Sequence, residues 1–179
     1  MELDSKPMLT KFRGEKYHRM DSNFRLSMPR DFADILRETS QGKIVITYGL
    51  SHCLWIYPQT IYEPIFQKLS ALPHFKKDPM RFRTTYSGII TETELDKQGR
   101  FVIPKQLLQY AGIEAEIVLV GELFRIQLWS VSNWNQYLTS IISNADDIAE
   151  SMSELLEPQS VNTGPIVKEK SDEDLSDLS

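Results

Sequence analysis

Polar and apolar positions along the first 130 residues alternate with a short period that turn residues interrupt. Residues 43–58, KIVITYGLSHCLWIYP, and residues 115–129, AEIVLVGELFRIQLW, each hold two apolar runs on either side of a glycine-containing connection. This arrangement is typical of two strands joined as a hairpin. Apolar residues at helical spacing follow over about 60–72 and 131–145, and we expect Pro64 in or near the first turn of the earlier helix. The pattern predicts a mostly β fold of the α+β class with short helices.

One stretch of the chain is written twice. Residues 20–33 read MDSNFRLSMPRDFA and residues 95–108 read LDKQGRFVIPKQLL. The identical positions are Asp21 and Asp96, Arg25 and Arg100, and Pro29 and Pro104. Each copy has the order strand, turn, short strand, helix, hairpin and helix. A unit of roughly fifty residues is too small to bury both faces of a sheet, so we expect the two copies to pack as a pseudo-twofold pair.

The aspartate that opens each repeated turn has a structural explanation. Its carboxylate can accept hydrogen bonds from backbone N–H groups two or three residues further on, which fixes the turn. Gly99 suits a position with positive φ. The arginine four residues after each aspartate has two possible roles. It can fold back as a salt bridge to the aspartate, or it can present a bidentate donor to phosphate or guanine.

Charge is divided unevenly along the 179 residues, whose net charge is −5. Residues 146–179 carry ten acidic residues against two lysines, a balance of −8, which leaves +3 for residues 1–145. The terminal stretch SDEDLSDLS is acidic and poor in large apolar groups, which predicts disorder. The single cysteine, and the lack of an apolar run near twenty residues, predict a soluble cytosolic protein with no membrane partner.

The sequence offers little for catalysis. His18, His52 and His74 lie in different elements, and Cys53 has no H-x-E or C-x-x-C companion nearby. No glycine-rich phosphate loop and no metal-ligand spacing occurs in the sequence. We therefore expect that the protein is not an enzyme and that it uses no cofactor, no metal and no small-molecule substrate.

Several segments together resemble the MraZ family of bacterial transcriptional regulators. They are KFRGEKYHRMDSNFRLSMPRDF, CLWIYP, LDKQGRFVIP and EIVLVG, and the resemblance runs from about residue 11 to residue 138. It implies two tandem AbrB-like swapped-hairpin halves that form a pseudo-twofold β-barrel. It also implies a ring-shaped homo-oligomer, cytoplasmic and nucleoid-associated. That ring would bind tandem direct repeats in double-stranded DNA upstream of a cell-division and cell-wall gene cluster that includes its own gene.

The resemblance and the composition together predict five segments. They are a first half-module at 12–62, a helical and basic connector at 63–87, a second half-module at 88–133, a C-terminal helix at 134–157 and an acidic disordered tail at 158–179.

The resemblance also assigns the functional positions of this sequence. The family's two D-x-x-x-R motifs fall on Asp21 with Arg25 and on Asp96 with Arg100, and its FRG segment begins at Phe12. This chain departs from the family where the first turn has Asn23 and Phe24 in place of Lys-Gly. Asparagine tolerates a left-handed φ better than most residues, so we expect the turn to survive with altered geometry.

The two copies differ in charge. Residues 11–30 have a balance of +4, whereas the matching residues 86–105 are neutral. We expect the first copy to bind DNA, with Arg25 at base edges and the other cations on phosphate, and Arg100 to brace its turn or touch a neighbouring subunit. The predicted DNA-binding residues are Lys11, Arg13, Lys16, Arg25 and Arg30.

An alternative function is a protein-interaction or assembly scaffold that does not bind DNA. Aromatic residues at the ends of strands and in the following helices could form such an interface, although they are more often core residues. They are Trp55, Tyr57, Tyr62, Trp129 and Trp134.

Overall fold

A computed structural model describes residues 12–73 and 76–156 of the chain. The strands are β1 (Phe12–Arg19), β2 (Arg25–Ser27), β3 (Lys43–Tyr48), β4 (Leu54–Pro58), β5 (Thr91–Glu94), β6 (Arg100–Val102), β7 (Glu116–Leu123) and β8 (Arg125–Ser130). The helices are α1 (Arg30–Ser40), α2 (Gln59–Ser70), α3 (Lys77–Ile89), α4 (Lys105–Tyr110), α5 (Val131–Ser143) and α6 (Ala145–Leu156). The predicted disordered tail, 158–179, lies outside the described residues.

The strands form an open sheet and a separate ribbon. Six strands are hydrogen-bonded in the order β1-β7-β8-β4-β3-β5, and β2 pairs only with β6. Within the described residues the sheet does not close into the predicted pseudo-twofold β-barrel, because no pairing joins the end strands β1 and β5. β2 and β6 are three residues long, and the Pro29 and Pro104 that closely follow them lack the backbone N–H needed to extend the pairing. The mostly β fold with short helices is confirmed.

The pairing register contains the predicted pseudo-twofold. In the middle of the sheet, Leu54 pairs with Leu128 and Ile56 with Ile126, on either side of the pair between Trp55 and Gln127. Leu54 of the first copy is equivalent to Ile126 of the second, and Ile56 is equivalent to Leu128. Exchanging the copies therefore converts one pair into the other, so the pseudo-twofold axis passes beside Trp55. The two copies therefore share one sheet, as the size argument from the sequence predicted.

Side chains from the two sheet faces enter different clusters. One face packs against the ribbon, α1 and α4 in the main core, to which Leu26 and Phe101 contribute from the ribbon. The opposite face is covered by α2, which packs over Val45 and Tyr57, and by α5, which packs over Val118. Strand alternation explains this division, since successive residues of a strand point to opposite faces. It places the ribbon and α2 on opposite sides of the sheet.

The helix after the first hairpin begins at about the predicted residue, but Pro64 lies further into it than the pattern predicted. α2 begins at Gln59, immediately after the strand. Pro58 precedes it with a φ of −55°, and the prolines that precede α1 and α4 have similar φ values of −51° and −58°. Pro64 consequently lies inside α2, beyond its first turn, and the prediction for its position was wrong. α3 has no buried residue and forms most of the connector between the two copies.

The described residues from 143 to 156 belong to a second compact unit. Its described helix, α6, carries Asp146 and Asp147 in the first turn, where the positive end of the helix dipole favours negative charge. Across the described residues, helices are too short or too polar to span a bilayer.

Candidate nucleic-acid interface

The first repeated turn, residues 21–25, is built on the carboxylate of Asp21. Its Oδ1 accepts hydrogen bonds from the backbone N–H of Asn23 at 2.8 Å and of Arg25 at 2.9 Å. The backbone closes the same loop, because the N–H of Asp21 bonds to the carbonyl of Arg25 at 3.0 Å. An aspartate is needed here because a short side-chain acceptor can reach both donors.

The second turn, residues 96–100, repeats this geometry. Oδ1 of Asp96 accepts the N–H of Gln98 and of Arg100, each at 2.8 Å, and the N–H of Asp96 bonds to the carbonyl of Arg100 at 2.8 Å. The predicted carboxylate-to-backbone bonds are therefore confirmed in both copies, at two and four residues past the aspartate.

The two arginines behave differently. The guanidinium of Arg100 folds back, and its Nε lies 2.9 Å from Oδ2 of Asp96. The backbone N–H of Arg100 and then its side chain, together with the N–H of Gln98, hold the pKa of Asp96 below its ordinary value of 3.8. Arg25 is exposed, and among residues 12–73 and 76–156 no carboxylate pairs with its side chain. The structural salt bridge thus forms in the second turn and is absent from the described surroundings of the first.

The residue that takes the left-handed conformation in the first turn is Phe24. Its φ is 59°, and the equivalent position in the second turn is Gly99, with a φ of 78°. Asn23 has no positive φ, so the expectation that asparagine would absorb this conformation was wrong. A positive φ in a bulky residue is strained and persists only when the surroundings hold it. Phe24 is held because its ring packs against the main core.

The turns of the two copies are crossed over each other. The N–H of Ile103 bonds to the carbonyl of Phe24 at 3.1 Å, and the N–H of Met28 bonds to the carbonyl of Gly99 at 2.9 Å. Each turn therefore lies against the segment between short strand and helix of the other copy. A site at either turn is made from both halves of the sequence.

The outer face of the ribbon carries both motif arginines. Arg25 pairs with Val102 and Ser27 pairs with Arg100, while the residues between them point into the core. Arg25 and Arg100 are diagonal neighbours in this register, at a spacing of roughly 7–8 Å. Both arginines therefore lie on the same small outer face of the ribbon. Of the two, Arg25 is the one that forms no ion pair within the described residues.

The remaining predicted DNA-binding residues are scattered. Arg13 is exposed on β1 opposite Glu122, and the length of that strand places it roughly 20 Å from the first turn. The ammonium of Lys16 lies 3.0 Å from a carboxylate oxygen of Asp31. Lys11 lies outside the described residues. The first turn therefore does not gather Arg13 and Lys16 around Arg25 within one subunit.

Arg30 lies beside the second turn rather than the first. The chain crosses over at Met28, and Arg30 begins the helix that follows. It is highly exposed, and its Nε is 3.9 Å from Asp34. Arg37, which sequence reasoning missed, also contacts this turn, because its Nη2 lies 3.4 Å from the carbonyl of Lys97 while its Nη1 lies 3.5 Å from Asp34. Arg37 belongs to the first copy, whose turn is residues 21–25, and the crossing of the two copies places it against the second turn instead.

The aromatic residues proposed for a scaffold interface are mostly core residues. Tyr57, Tyr62, Trp129 and Trp134 are buried. Trp55 is half-buried beneath the guanidinium of Arg125, which lies 3.8 Å from its ring centroid.

The guanidinium of Arg125 is half-buried and already contacts Trp55, Glu122 and Tyr57. Burial lowers the pKa of Arg125, but hydrogen bonds to Glu122 and Tyr57 outweigh this effect and raise it.

The cysteine and the described histidines form no reactive group. Cys53 is buried, its Sγ lies 3.1 Å from the carbonyl of Leu50, and burial raises the pKa of the thiol to about 12. A thiol in this environment is a poor nucleophile. His18 lies on β1, and His52 is exposed in the β3–β4 connection with Nδ1 3.4 Å from the carbonyl of Tyr110. His74 lies outside the described residues.

Comparison with known proteins gives one consistent result. The model of the family described as "MraZ protein, putative antitoxin-like" matches residues 11–84 and 90–155. A protein named transcriptional regulator MraZ from Halothermothrix orenii is 39% identical over 144 residues, which cover 80% of this chain and 98% of the relative. The protein of the same name from Clostridium beijerinckii is 41% identical over 144 residues, with the same coverage. The one from Carboxydothermus hydrogenoformans is 37% identical over 145 residues, covering 81% of this chain and 99% of the relative.

Proposed function

The chain belongs to the MraZ family, and on that basis we propose that it is a sequence-specific DNA-binding transcriptional regulator. The name of its relatives, transcriptional regulator, supports a role in gene control rather than in catalysis. A regulator of this kind works in the cytoplasm and associates with the nucleoid.

The observation that carries the proposal is the first turn. A carboxylate-fixed hairpin tip presents Arg25 on an exposed ribbon face, and no described acidic group neutralises it. A guanidinium held on a rigid turn suits bidentate donation to O6 and N7 of guanine in the major groove. Arg25 therefore reads a base edge, and the surrounding cations contact phosphate and fix the orientation of the protein on the duplex.

A single subunit offers few contacts to phosphate. For each tenfold rise in salt, the logarithm of the binding constant falls by about 0.9 per neutralised phosphate. A subunit with few phosphate contacts binds weakly from the start, so it would be displaced at cellular salt. A closed homo-oligomer avoids this loss, because linked subunits bind tandem sites spaced about one helical turn, ~10 bp, apart. We propose a ring that binds direct repeats upstream of its own gene and of a cell-division and cell-wall gene cluster.

Binding to the upstream DNA tests this function. Fluorescence anisotropy would compare the purified protein on a duplex from upstream of its own gene with a scrambled duplex of equal length, at several salt concentrations. We expect preference for the natural duplex, with an affinity that declines as salt rises. Light scattering on the same preparation should give an oligomer, and a probe with one repeat should bind more weakly than a probe with several.

Three outcomes would each count against a different part of the proposal. Equal affinity for both duplexes would remove sequence-specific regulation. Absence of DNA binding by a folded oligomer would instead favour the scaffold function. A monomer that binds single and multiple repeats equally well would remove the ring and leave the DNA-binding function standing.

A further inference from the structure

The first turn has a cation from the other copy above it. Lys105 is the first residue of α4, two residues beyond the Ile103 whose N–H bonds to the carbonyl of Phe24. Its ammonium lies 5.0 Å from the centroid of the Phe24 ring, within the range of a cation–π contact. Lys105 is exposed, and it belongs to the sequence window whose charges sum to zero. The charge balance of the second window therefore included a cation that the fold places at the first turn.

Phe24 explains why the ammonium is held at this place. The residue has a positive φ, and its ring packs on the main core while also lying beneath Lys105. A flexible lysine side chain loses rotamer freedom when it binds a ligand. A contact that already restricts Lys105 reduces this loss, so the aromatic ring pre-organises the cation.

The charges around the corresponding pair at the other turn are different. There the first residue of α1 is Arg30, and its i+4 neighbour is Asp34, 3.9 Å away. At the first turn, the i+4 neighbour of Lys105 is Gln109, which carries no charge. Within residues 12–73 and 76–156, Lys105 and Arg25 have no carboxylate partner, so two uncompensated cations border the first turn.

From this arrangement we propose that Lys105 is a DNA phosphate contact of the first turn, and that Phe24 is its positioning residue. The inference rests on the proposed DNA binding and adds a residue from the second copy to the site. A lysine ammonium is a point charge that suits phosphate, whereas the planar guanidinium of Arg25 suits a base edge. The pair thus divides phosphate contact and base contact between the two halves of the chain.

Replacement of Lys105 tests the phosphate contact. Lys105→Ala should weaken binding to the upstream duplex and to a scrambled duplex by the same factor, about fivefold near 0.15 M salt, and lower the salt slope by about 0.9. Lys105→Arg should bind like the wild type. Lys68→Ala is the matched control, because Lys68 is exposed on α2, which covers the opposite sheet face, and the variant removes the same charge.

The outcomes separate this inference from the proposed function. If the wild type binds DNA and Lys105→Ala binds with the same affinity, the inference is overturned while the proposed function stands. An equal loss in Lys105→Ala and Lys68→Ala would also overturn it, since net charge alone would explain the effect. Loss of preference for the natural duplex would mean that Lys105 reads bases, which contradicts a phosphate role. A wild-type protein that binds no DNA would remove the proposed function itself.

A double-mutant cycle tests Phe24. Phe24→Leu keeps an apolar side chain but removes the ring under the ammonium, and it should weaken DNA binding two- to threefold at unchanged oligomeric state. In the Lys105→Ala background the same change should have no further effect on affinity, because the ring acts through the lysine. An equal loss in both backgrounds, measured on variants with wild-type circular dichroism, would assign Phe24 a purely structural role and remove it as the positioning residue.

Discussion

The two repeated turns share a backbone and differ in charge. Both are closed by an aspartate carboxylate that accepts two backbone N–H groups. Around the second turn the arginines are paired with carboxylates: Arg100 with Asp96, and Arg30 and Arg37 with Asp34. Around the first turn, Arg25 and Lys105 have no such partner in the described residues.

This difference shows that the two motifs can share one backbone conformation while their arginine side chains make different contacts. The aspartate fixes the turn through backbone groups, including those of the arginine, so the side chain of the arginine in each copy can serve another purpose. An arginine already bound to a carboxylate must lose that bond before it can bind phosphate, which lowers the net gain from binding. A cation without a partner has no such loss. This difference favours a stabilising role for the second turn and supports the proposed DNA contact at the first.

The largest expected effect comes from removing each arginine in turn. Arg25→Ala should reduce the preference for the natural duplex by about 1–3 kcal/mol per site, and more in an oligomer that binds several sites, with the assembly unchanged. Arg100→Ala should lower the melting temperature or disturb the oligomer first, because it breaks the bond to Asp96. Anisotropy, light scattering and thermal unfolding on the same preparations compare the two variants.

Arg25→Lys sharpens this comparison. It keeps the charge but loses the planar fork, so discrimination between duplexes should fall further than affinity for scrambled DNA. Loss of DNA binding in Arg100→Ala with a wild-type oligomer and melting temperature, together with normal binding by Arg25→Ala, would reverse the roles of the two turns.

Exchanging the neighbouring charges should produce a smaller change. Gln109→Glu gives Lys105 the i+4 carboxylate that Arg30 has in Asp34, and it should weaken DNA binding severalfold at low salt. Asp34→Asn removes the shared partner of Arg30 and Arg37 and should strengthen binding by a similar factor. Anisotropy titrations at low and high salt measure both changes, and the differences should shrink at high salt. Stronger binding by Gln109→Glu, or weaker binding by Asp34→Asn, at low salt would contradict the charge argument.

The sequence was sufficient for the elements and for the repeat. The hairpins, the paired copies and the turn-closing role of Asp21 and Asp96 follow from local patterns, and the structure contains them. These features depend on residues close together in the chain, where periodicity and turn chemistry act directly. The domain boundaries inferred from the same patterns stay predictions.

The composition of the candidate site could not be read from sequence windows. A balance of +4 around Arg25 counted Arg30, which the fold carries to the second turn, and omitted Lys105, which it brings to the first. The crossing of the copies is a tertiary feature, and two matched windows contain no information about it. Phe24 was also misjudged, because propensity assigns a positive φ to asparagine whereas packing against the core imposes it on the phenylalanine.

A smaller effect is expected from the backbone of the second turn. Gly99→Ala should destabilise the protein by about 1 kcal/mol, because the φ of 78° is unfavourable for alanine. Steric conflict is not the cause, since the nearest atom to an added Cβ would be Nη2 of Arg37 at 3.5 Å. Gly88→Ala in α3 is the matched control and should be neutral or slightly stabilising, as no atom lies within 4 Å of its Cβ position. Urea denaturation measures both, and equal effects would mean that the turn backbone is unstrained by alanine.

The smallest effect concerns acid and the second turn alone. Because the pKa of Asp96 is held below its ordinary value of 3.8, its charge stabilises the fold above that pH, and this contribution disappears as pH falls through the lower folded-state value. Asp96→Asn keeps the Oδ1 acceptor for the backbone and loses the charge that attracts Arg100. The wild type should therefore melt above the variant by a constant margin from pH 7 to about 5, and the margin should close below pH 3.8. A margin that does not shrink at all as pH falls below 3.8 would show that the turn depends on hydrogen-bond geometry and not on the ionised aspartate.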